Sequence, residues 1–231
     1  HDPAAVLVDA GCWDGANTVK FGEAAAAARV VGLELVPAAA RRAKEKGVDV
    51  RICDLNRKIP LKSAAADIVV ANHAIEHLYN VGSFVEELYR VIKPGGYLLL
   101  GTPNLASWHN VFALAVGRQP FSGPTVSLGS EQDIAAEMRS EKNANLLSDV
   151  QDKAGGEHAL GHIVVMTCKT LLKLLRSKGF VVEKSLGFGY HPFPPFIANV
   201  LAKIDNSHSH YVLVKARKPA KPVTATAASK T

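Results

Sequence analysis

The chain has 231 residues, 48% of them hydrophobic and 21% charged, the profile of a folded domain with a sizeable core rather than a disordered or fibrous segment. No apolar run reaches the roughly 18–20 residues needed to span a bilayer as a helix. The formal net charge is +6, and five basic residues without an acid (Lys215, Arg217, Lys218, Lys221 and Lys230) lie at the C-terminal end. That charge marks a solvated tail over residues 218–231 more readily than a basic face for nucleic acid. Cys12, Cys53 and Cys168 stand far apart, so neither a disulfide framework nor a CxxC metal site is expected, and a reducing cytoplasm is the simplest setting.

Along the chain, short β-like runs alternate with helical patterns, the signature of a doubly wound α/β sheet. The first run, AVLVD, covers Ala5–Asp9 and ends at a glycine turn. An alanine-rich helix follows over Asn17–Ala28, then a strand at Arg29–Leu33. A helix opens at Pro37, where the missing N–H does no harm, and closes at Gly47. Val48–Ile52 and Asp67–Ala71 read as strands. Val81–Ile92 reads as a helix stopped by Pro94-Gly95-Gly96, and Tyr97–Gly101 as the fifth strand. Asn104–Val116 is an amphipathic pattern with Leu105, Trp108, Phe112 and Ala115 on one face. Arg118–Leu160 has weak periodicity and reads as a lid-like insertion of one domain spanning 1–217. Thr167 caps a helix over Lys169–Ser177, and Val181–Ser185 and Tyr211–Ala216 are the last strands.

Several strand ends carry polar residues. Asp9 ends the first strand, and Gly11 and Gly15 flank a turn that lets backbone approach a ligand at a helix N-terminus. Glu34 ends the second strand, where an acid can accept from both hydroxyls of a ribose. Asp54 follows the third strand and Asn72 the fourth. Ligands of open α/β sheets bind outside the carboxyl ends of the strands, so these residues share the expected edge. A nicotinamide dinucleotide is disfavoured, because the GxGxxG fingerprint fails at Trp13 and Ala16.

VLVDAGCWDG (Val6–Gly15), ADIVVANHAIEHLYN and LYRVIKPGGYLLLGTPN together resemble the class I S-adenosylmethionine-dependent methyltransferases, in the branch with methionine-biosynthesis and quinone methyltransferases. The resemblance runs from about Ala5 to Asn104 and more weakly through GHIVVMTCKTLLKLLRSKGF. It implies a Rossmann-like, seven-stranded, mostly parallel sheet with helices on both faces and one antiparallel edge strand. It also implies S-adenosylmethionine as cofactor. Asp9, Gly11 and Gly15, with Cys12 and Trp13 between them, would shape the pocket for its methionine part. Glu34 would hold the ribose, Leu35 the adenine face, and Asp54 with the Leu55 backbone the adenine amino group. Asn72 and His73 would line the floor. Trp13 replaces the middle glycine of the family's turn.

The expected reaction is methyl transfer to a small or medium-sized acceptor at oxygen. A non-catalytic domain that holds cofactor or a partner is the alternative. A hydroxyl acceptor needs its proton removed, and His77 suits that near neutral pH, although a structural histidine is the plainer reading. His158 and His162 bracket the end of the insertion. His191, in GYHPFPPF, can line an aromatic acceptor pocket, and the apolar segments nearby would suit a lipid-like or prenylated acceptor. His208 and His210 read as surface residues. No His/Asp/Glu cluster has metal spacing, so no metal is expected.

Overall fold

The computed structural model describes residues 4–124 and 161–220. In chain order these form β1 (Val6–Ala10), α1 (Ala16–Ala25), β2 (Arg29–Glu34), α2 (Pro37–Glu45), β3 (Asp49–Ile52), β4 (Ala66–Asn72), a 3₁₀ turn (Ile75–His77), α3 (Val81–Val91), β5 (Ile92–Pro103), α4 (Trp108–Ala115), α5 (Cys168–Ser177), β6 (Val181–Phe188), α6 (Pro195–Ile204) and β7 (Tyr211–Arg217). One seven-stranded sheet has the order β3-β2-β1-β4-β5-β7-β6. The first five strands pair in parallel, and β7 runs antiparallel to both β5 and β6.

The sequence explains the burial. Central parallel strands are covered on both faces and read as continuous apolar runs. In β4, six of the seven residues are buried or half-buried and only Asn72 at its end is exposed. The order reverses between β1 and β4, and the carboxyl ends of β1, β2, β4 and β5 open on that side. α3 buries Phe84, Val85, Leu88 and Val91, the spacing of one helical face. It is capped by Asn80, whose side chain accepts from the Ser83 N–H at 3.4 Å. α5 is capped as the sequence implied, with Thr167 Oγ1 accepting from Thr170 N–H at 3.2 Å. It sets Leu171 and Leu175 into the same core.

Two readings of the sequence change. β5 starts at Ile92 rather than Tyr97 and runs through Pro94-Gly95-Gly96. The irregular stretch is held because Gly95 N–H donates to Lys218 O at 2.8 Å and Lys218 N–H to Gly96 O at 2.9 Å. A Cβ on Gly96 would lie 2.6 Å from Asp67 O, so glycine is required there. Residues 195–204, to which the sequence assigned no element, form α6 with Pro195 at its first turn, where proline is tolerated.

The C-terminal basic residues at 215–218 are held against the sheet. Lys215 and Arg217 both pair with Glu183 and lie over the Tyr97 ring. Lys218 donates to Tyr89 O and Ile92 O. Lys215, Arg217 and Lys218 are therefore engaged by the fold, and of these only Lys218 belongs to the expected tail. Residues 125–160 of the lid-like insertion, and 221–231, lie outside the described residues.

Phe84 is 1% exposed at the centre of the main core cluster. Phe84→Ala should cost about 3–5 kcal/mol, from lost burial and the cavity left behind. Urea unfolding should show a correspondingly lower midpoint, and an unchanged midpoint would contradict this account of the core.

Candidate functional site

The turn after β1 is the first wall. Gly11 and Gly15 have φ of +87° and +78°, the left-handed region that glycine enters without penalty. A Cβ on Gly11 would lie 3.0 Å from Ala74 Cβ, and one on Gly15 would lie 2.8 Å from Ala43 Cβ. Trp13 adopts φ +47° without glycine's freedom. The Cys12 side chain packs with Ala40, Ala43, Val48 and Val50. Burial, with the Asp9 and Glu34 charges adding to it, pushes its thiol up to about 12. Cys12 thus offers the turn its backbone, not a reactive sulfur.

Asp9 is 3% exposed. Burial pushes its carboxyl up to about 6, against a 2.5 Å hydrogen bond donated by Thr18 Oγ1 and with the Glu34 charge raising it further.

Glu34 stands at the end of β2, and its carboxylate closes the turn. Oε2 accepts from Trp13 N–H at 2.8 Å, and Oε1 accepts from Leu35 and Val36 N–H at 2.8 and 2.9 Å. With two lone-pair sites per carboxylate oxygen, one site on Oε2 remains for a ligand. Leu35 is 46% exposed beside it, an apolar platform at the sheet edge. Asp54 accepts from Asn56 N–H and Asn56 Nδ2 on Oδ1, and Arg57 Nε lies 3.5 Å from Oδ2. Leu55 packs in the main core, so only its backbone is available. This set has the features an adenosine-type cofactor requires: a glycine turn with no room for side chains, a buried acid with a free acceptor site, an exposed aliphatic face and a second acid.

Beyond β4 the edge becomes histidine-rich. Asn72 and His73 are exposed, and together with Gly101, Thr102, Phe188, Tyr211, Val212 and Leu213 they line a pocket of about 220 Å³. His73 has φ +54° and donates its backbone N–H to Gly101 O at 2.9 Å. Its Nδ1 lies 2.9 Å from Glu76 Oε1. Glu76 is fully buried and also accepts from Thr102 Oγ1 at 3.0 Å. Burial alone would raise the Glu76 carboxyl, but the His73 hydrogen bond and nearby histidines hold it below the usual range.

His77 is half-buried, with Nδ1 3.3 Å from Gly161 O. The His162 ring is 5.2 Å from the His77 ring, and its Nδ1 is 3.1 Å from Ser122 O. Burial pushes His162 below the ordinary imidazole range.

Sequence spacing gave no metal-type cluster, yet the fold makes one. Glu76, His77 and His162 bring three ligand atoms within 4.8 Å of one another. Glu76 was not singled out from the sequence. Its only signal was an acid inside an otherwise apolar turn, between Ile75 and His77.

His208 and His210, read as surface residues, are both half-buried. His210 stacks on Tyr211 and sits beside His109 and His191, with ring centroids 4.2 to 5.4 Å apart. Burial and the neighbouring imidazoles push His210 down to about 3 and His109 to about 4. His208 stacks on Trp108 and pairs with Asp205 at 2.7 Å. His191, itself exposed, lies 5.4 Å from both the His109 and the His210 ring, while His158 lies outside the described residues.

The family described as "Methyltransferase domain" matches residues 8–100, which hold the glycine turn and every strand-end acid above. A Mycolicibacterium smegmatis relative, named a probable S-adenosylmethionine-dependent methyltransferase, is 38% identical over 100 residues, 42% of this chain and 38% of its own. The mitochondrial ubiquinone biosynthesis O-methyltransferase of Rattus norvegicus is 29% identical over 133 residues, 52% of this chain and 38% of its own. The chain therefore spans less than two fifths of the length of these curated relatives. Among solved structures, a SAM-dependent methyltransferase from Methanosarcina mazei has a TM-score of 0.61 at 14% identity, covering 96% of this chain and 95% of that one.

Asp9 offers a direct electrostatic test. Its folded carboxyl binds a proton more tightly than the unfolded one, about 6 against 3.8. The stability it contributes is therefore complete below pH 3.8 and is lost as pH rises through about 6. Asp9→Asn keeps an acceptor for Thr18 and removes the charge. At pH 8 it should be more stable than wild type by about 2–3 kcal/mol, with the advantage vanishing near pH 4. Urea unfolding across this range should reveal the convergence; parallel curves for the two proteins would refute the buried, proton-binding carboxyl.

Proposed function

Since residues 8–100 form a class I S-adenosylmethionine-dependent methyltransferase domain, with S-adenosylmethionine as its cofactor, we propose that the chain transfers a methyl group to a small or medium-sized acceptor at oxygen. The carrying observation is the strand-end series: Asp9, Glu34 and Asp54 disposed along one sheet edge around the glycine turn. The cofactor supplies an electrophilic methyl carbon on a sulfonium.

The chain's own residues do the rest. Gly11 and Gly15 keep side chains out of the turn, so backbone can border the cofactor's methionine part, with Cys12 and Trp13 between them. Glu34 takes a ribose hydroxyl on its free Oε2 site, Leu35 covers the adenine face, and Asp54 with the Leu55 backbone meets the adenine amino group. Asn72 and His73 form the floor beside the pocket. Such positioning of an intrinsically reactive group supplies much of a methyl transfer's rate.

Oxygen as the acceptor atom is supported by His77. A carbonyl can only accept, so the bond to Gly161 O commits the proton to Nδ1 and leaves the Nε2 lone pair to take an acceptor proton. The name of the rat relative points the same way. A lipid-like or prenylated acceptor fits the exposed aromatics of α4 and α6, where Phe112 is 68% and Phe196 74% exposed. Nucleic acid is disfavoured because Lys215, Arg217 and Lys218 are already engaged. Cys12, Cys53 and Cys168 are all free, which suits a reducing cytoplasm as the setting of the activity. Among the described residues no helix is long and apolar enough to cross a membrane.

A second reading has one specific observation in its favour. The Trp13 N–H already occupies part of Glu34, and the residue's φ is strained, which suits a domain that holds cofactor without turnover. Release of S-adenosylhomocysteine, followed over a panel of phenolic, carboxylate, amine and prenylated acceptors, separates the two. Turnover on none of them, by a protein that binds the cofactor, favours the binding module.

Glu34→Ala should weaken S-adenosylhomocysteine binding roughly ten- to hundredfold in calorimetry, from the lost charge-assisted bond and the loosened turn. Asp54→Ala should stay folded and lose discrimination against an N6-modified cofactor analogue. Unchanged affinity in folded Glu34→Ala would remove Glu34 from the site, and equal discrimination by Asp54→Ala would remove Asp54.

A further inference from the structure

The turn after β4 holds a constellation of which the methyl-transfer reading uses only His77. Glu76, His77 and His162 place a carboxylate oxygen and a nitrogen from each imidazole within 4.8 Å of one another. Three features separate this from a chance meeting of side chains. Glu76 is fully buried, and a buried carboxylate is costly unless it is paired or ligated. Its oxygens accept one bond each, from His73 Nδ1 and Thr102 Oγ1, so each keeps a free lone pair.

Both histidines have Nδ1 against a backbone carbonyl, His77 on Gly161 O and His162 on Ser122 O. Those bonds fix the tautomer and leave Nε2 unprotonated on both rings. This is the outer support that metal-ligating histidines characteristically have. The two segments are also tied together. Ile163 and Val164 donate their N–H groups to the Glu76 backbone oxygen at 2.7 and 3.1 Å. That junction sets His162 beside His77 across a long sequence separation.

We propose that Glu76, His77 and His162 bind a divalent transition cation of the zinc kind. One carboxylate oxygen and two imidazole nitrogens are a donor set suited to a borderline cation, and three protein ligands leave a coordination position open to water or substrate. His73 and Thr102, which steady Glu76, also line the 220 Å³ pocket, so the site adjoins the space an acceptor would enter. A hydroxyl bound to such a cation loses its proton more easily, so the cation does what a free His77 Nε2 would otherwise do. That role rests on the O-methylation reading, whereas the cation site itself does not.

The test uses the full chain stripped with a chelator. Cobalt(II) serves as a spectroscopic probe and zinc(II) as a competitor. Wild type should take up one equivalent of cobalt with visible absorption bands of nitrogen and oxygen ligation, and zinc should displace it. Glu76→Gln and His162→Ala should each weaken uptake at least tenfold, and magnesium should compete poorly. His109→Ala, in the separate imidazole group, should bind like wild type.

Since Glu76→Gln alters a buried site, His162→Ala carries the test if Glu76→Gln does not fold, with circular dichroism as the check. No stoichiometric uptake, or uptake that survives His162→Ala and falls in His109→Ala, overturns the proposal. S-adenosylhomocysteine binding is measured on the same samples. A wild type that binds it without taking up cobalt fails only the cation site. One that takes up cobalt without binding the homocysteine fails only the cofactor reading.

Discussion

The carboxylate of Glu34 ties the turn after β1 to the end of β2, beyond the pairing of the two strands themselves. It accepts from Trp13 in the turn after β1 and from Leu35 and Val36 at the start of the connection to α2. The neighbouring Gly11 and Cys12 N–H groups reach Leu33 O across the same gap. The turn is therefore fastened to the end of β2 by side chain and backbone alike. The fastening has electrostatic consequences nearby. A buried anion at this edge raises the Asp9 carboxyl, already lifted by burial, and adds to the burial that holds the Cys12 and Cys53 thiols up to about 12 and about 11. Both sulfurs stay protonated at neutral pH, so neither is a reactive nucleophile. The turn spends strain at Trp13 to reach this arrangement, a cost characteristic of functional edges.

What was legible in the sequence follows from which forces are local. Buried parallel strands must be apolar throughout and must end where the chain leaves the sheet, so AVLVD, VVGLE and DIVVAN announced both the strands and the polar residues at their ends. Caps are equally local, and Thr167 was readable for that reason. Pro94-Gly95-Gly96 was misread because its extended pairing depends on Lys218, more than a hundred residues later. α6 was hidden behind the prolines at 192, 194 and 195, which locally argue for a loop. His210 looked like a surface residue because no local pattern shows that β7 would lay it against His109 and His191.

The Glu76 group shows the same limit most clearly. Its acid sat in plain view within AIEHL, but its meaning depends on Thr102 from β5 and on the segment 161–164. Burying an unpartnered carboxylate would cost several kcal/mol, so the fold must surround it with donors. Once His73 and Thr102 provide them, the carboxylate is held charged and in place. The adjacent backbone oxygen then docks Ile163 and Val164, which brings His162 opposite His77. The position of the two imidazoles thus depends on the Glu76 backbone as a docking point, and their tautomers on the Gly161 and Ser122 carbonyls.

The two ends of the sheet edge are consequently different in kind. Around Asp9, Glu34 and Asp54, acids meet backbone N–H groups and an exposed aliphatic side chain, which favours a ligand rich in hydroxyl and amino donors. Around Glu76, His77 and His162, a carboxylate oxygen and two imidazole nitrogens lie within 4.8 Å of one another, with His73 and Thr102 as the donors on the acid. His73 stands between the two, its ring edge-on to Tyr211 at 5.1 Å and its Nδ1 on Glu76. Its backbone leaves the strand region as β4 ends, with φ +54°. His73 then lines the pocket with Asn72, Gly101, Thr102 and Tyr211, while its ring holds the Glu76 carboxylate that anchors the neighbouring group, so one residue belongs to both.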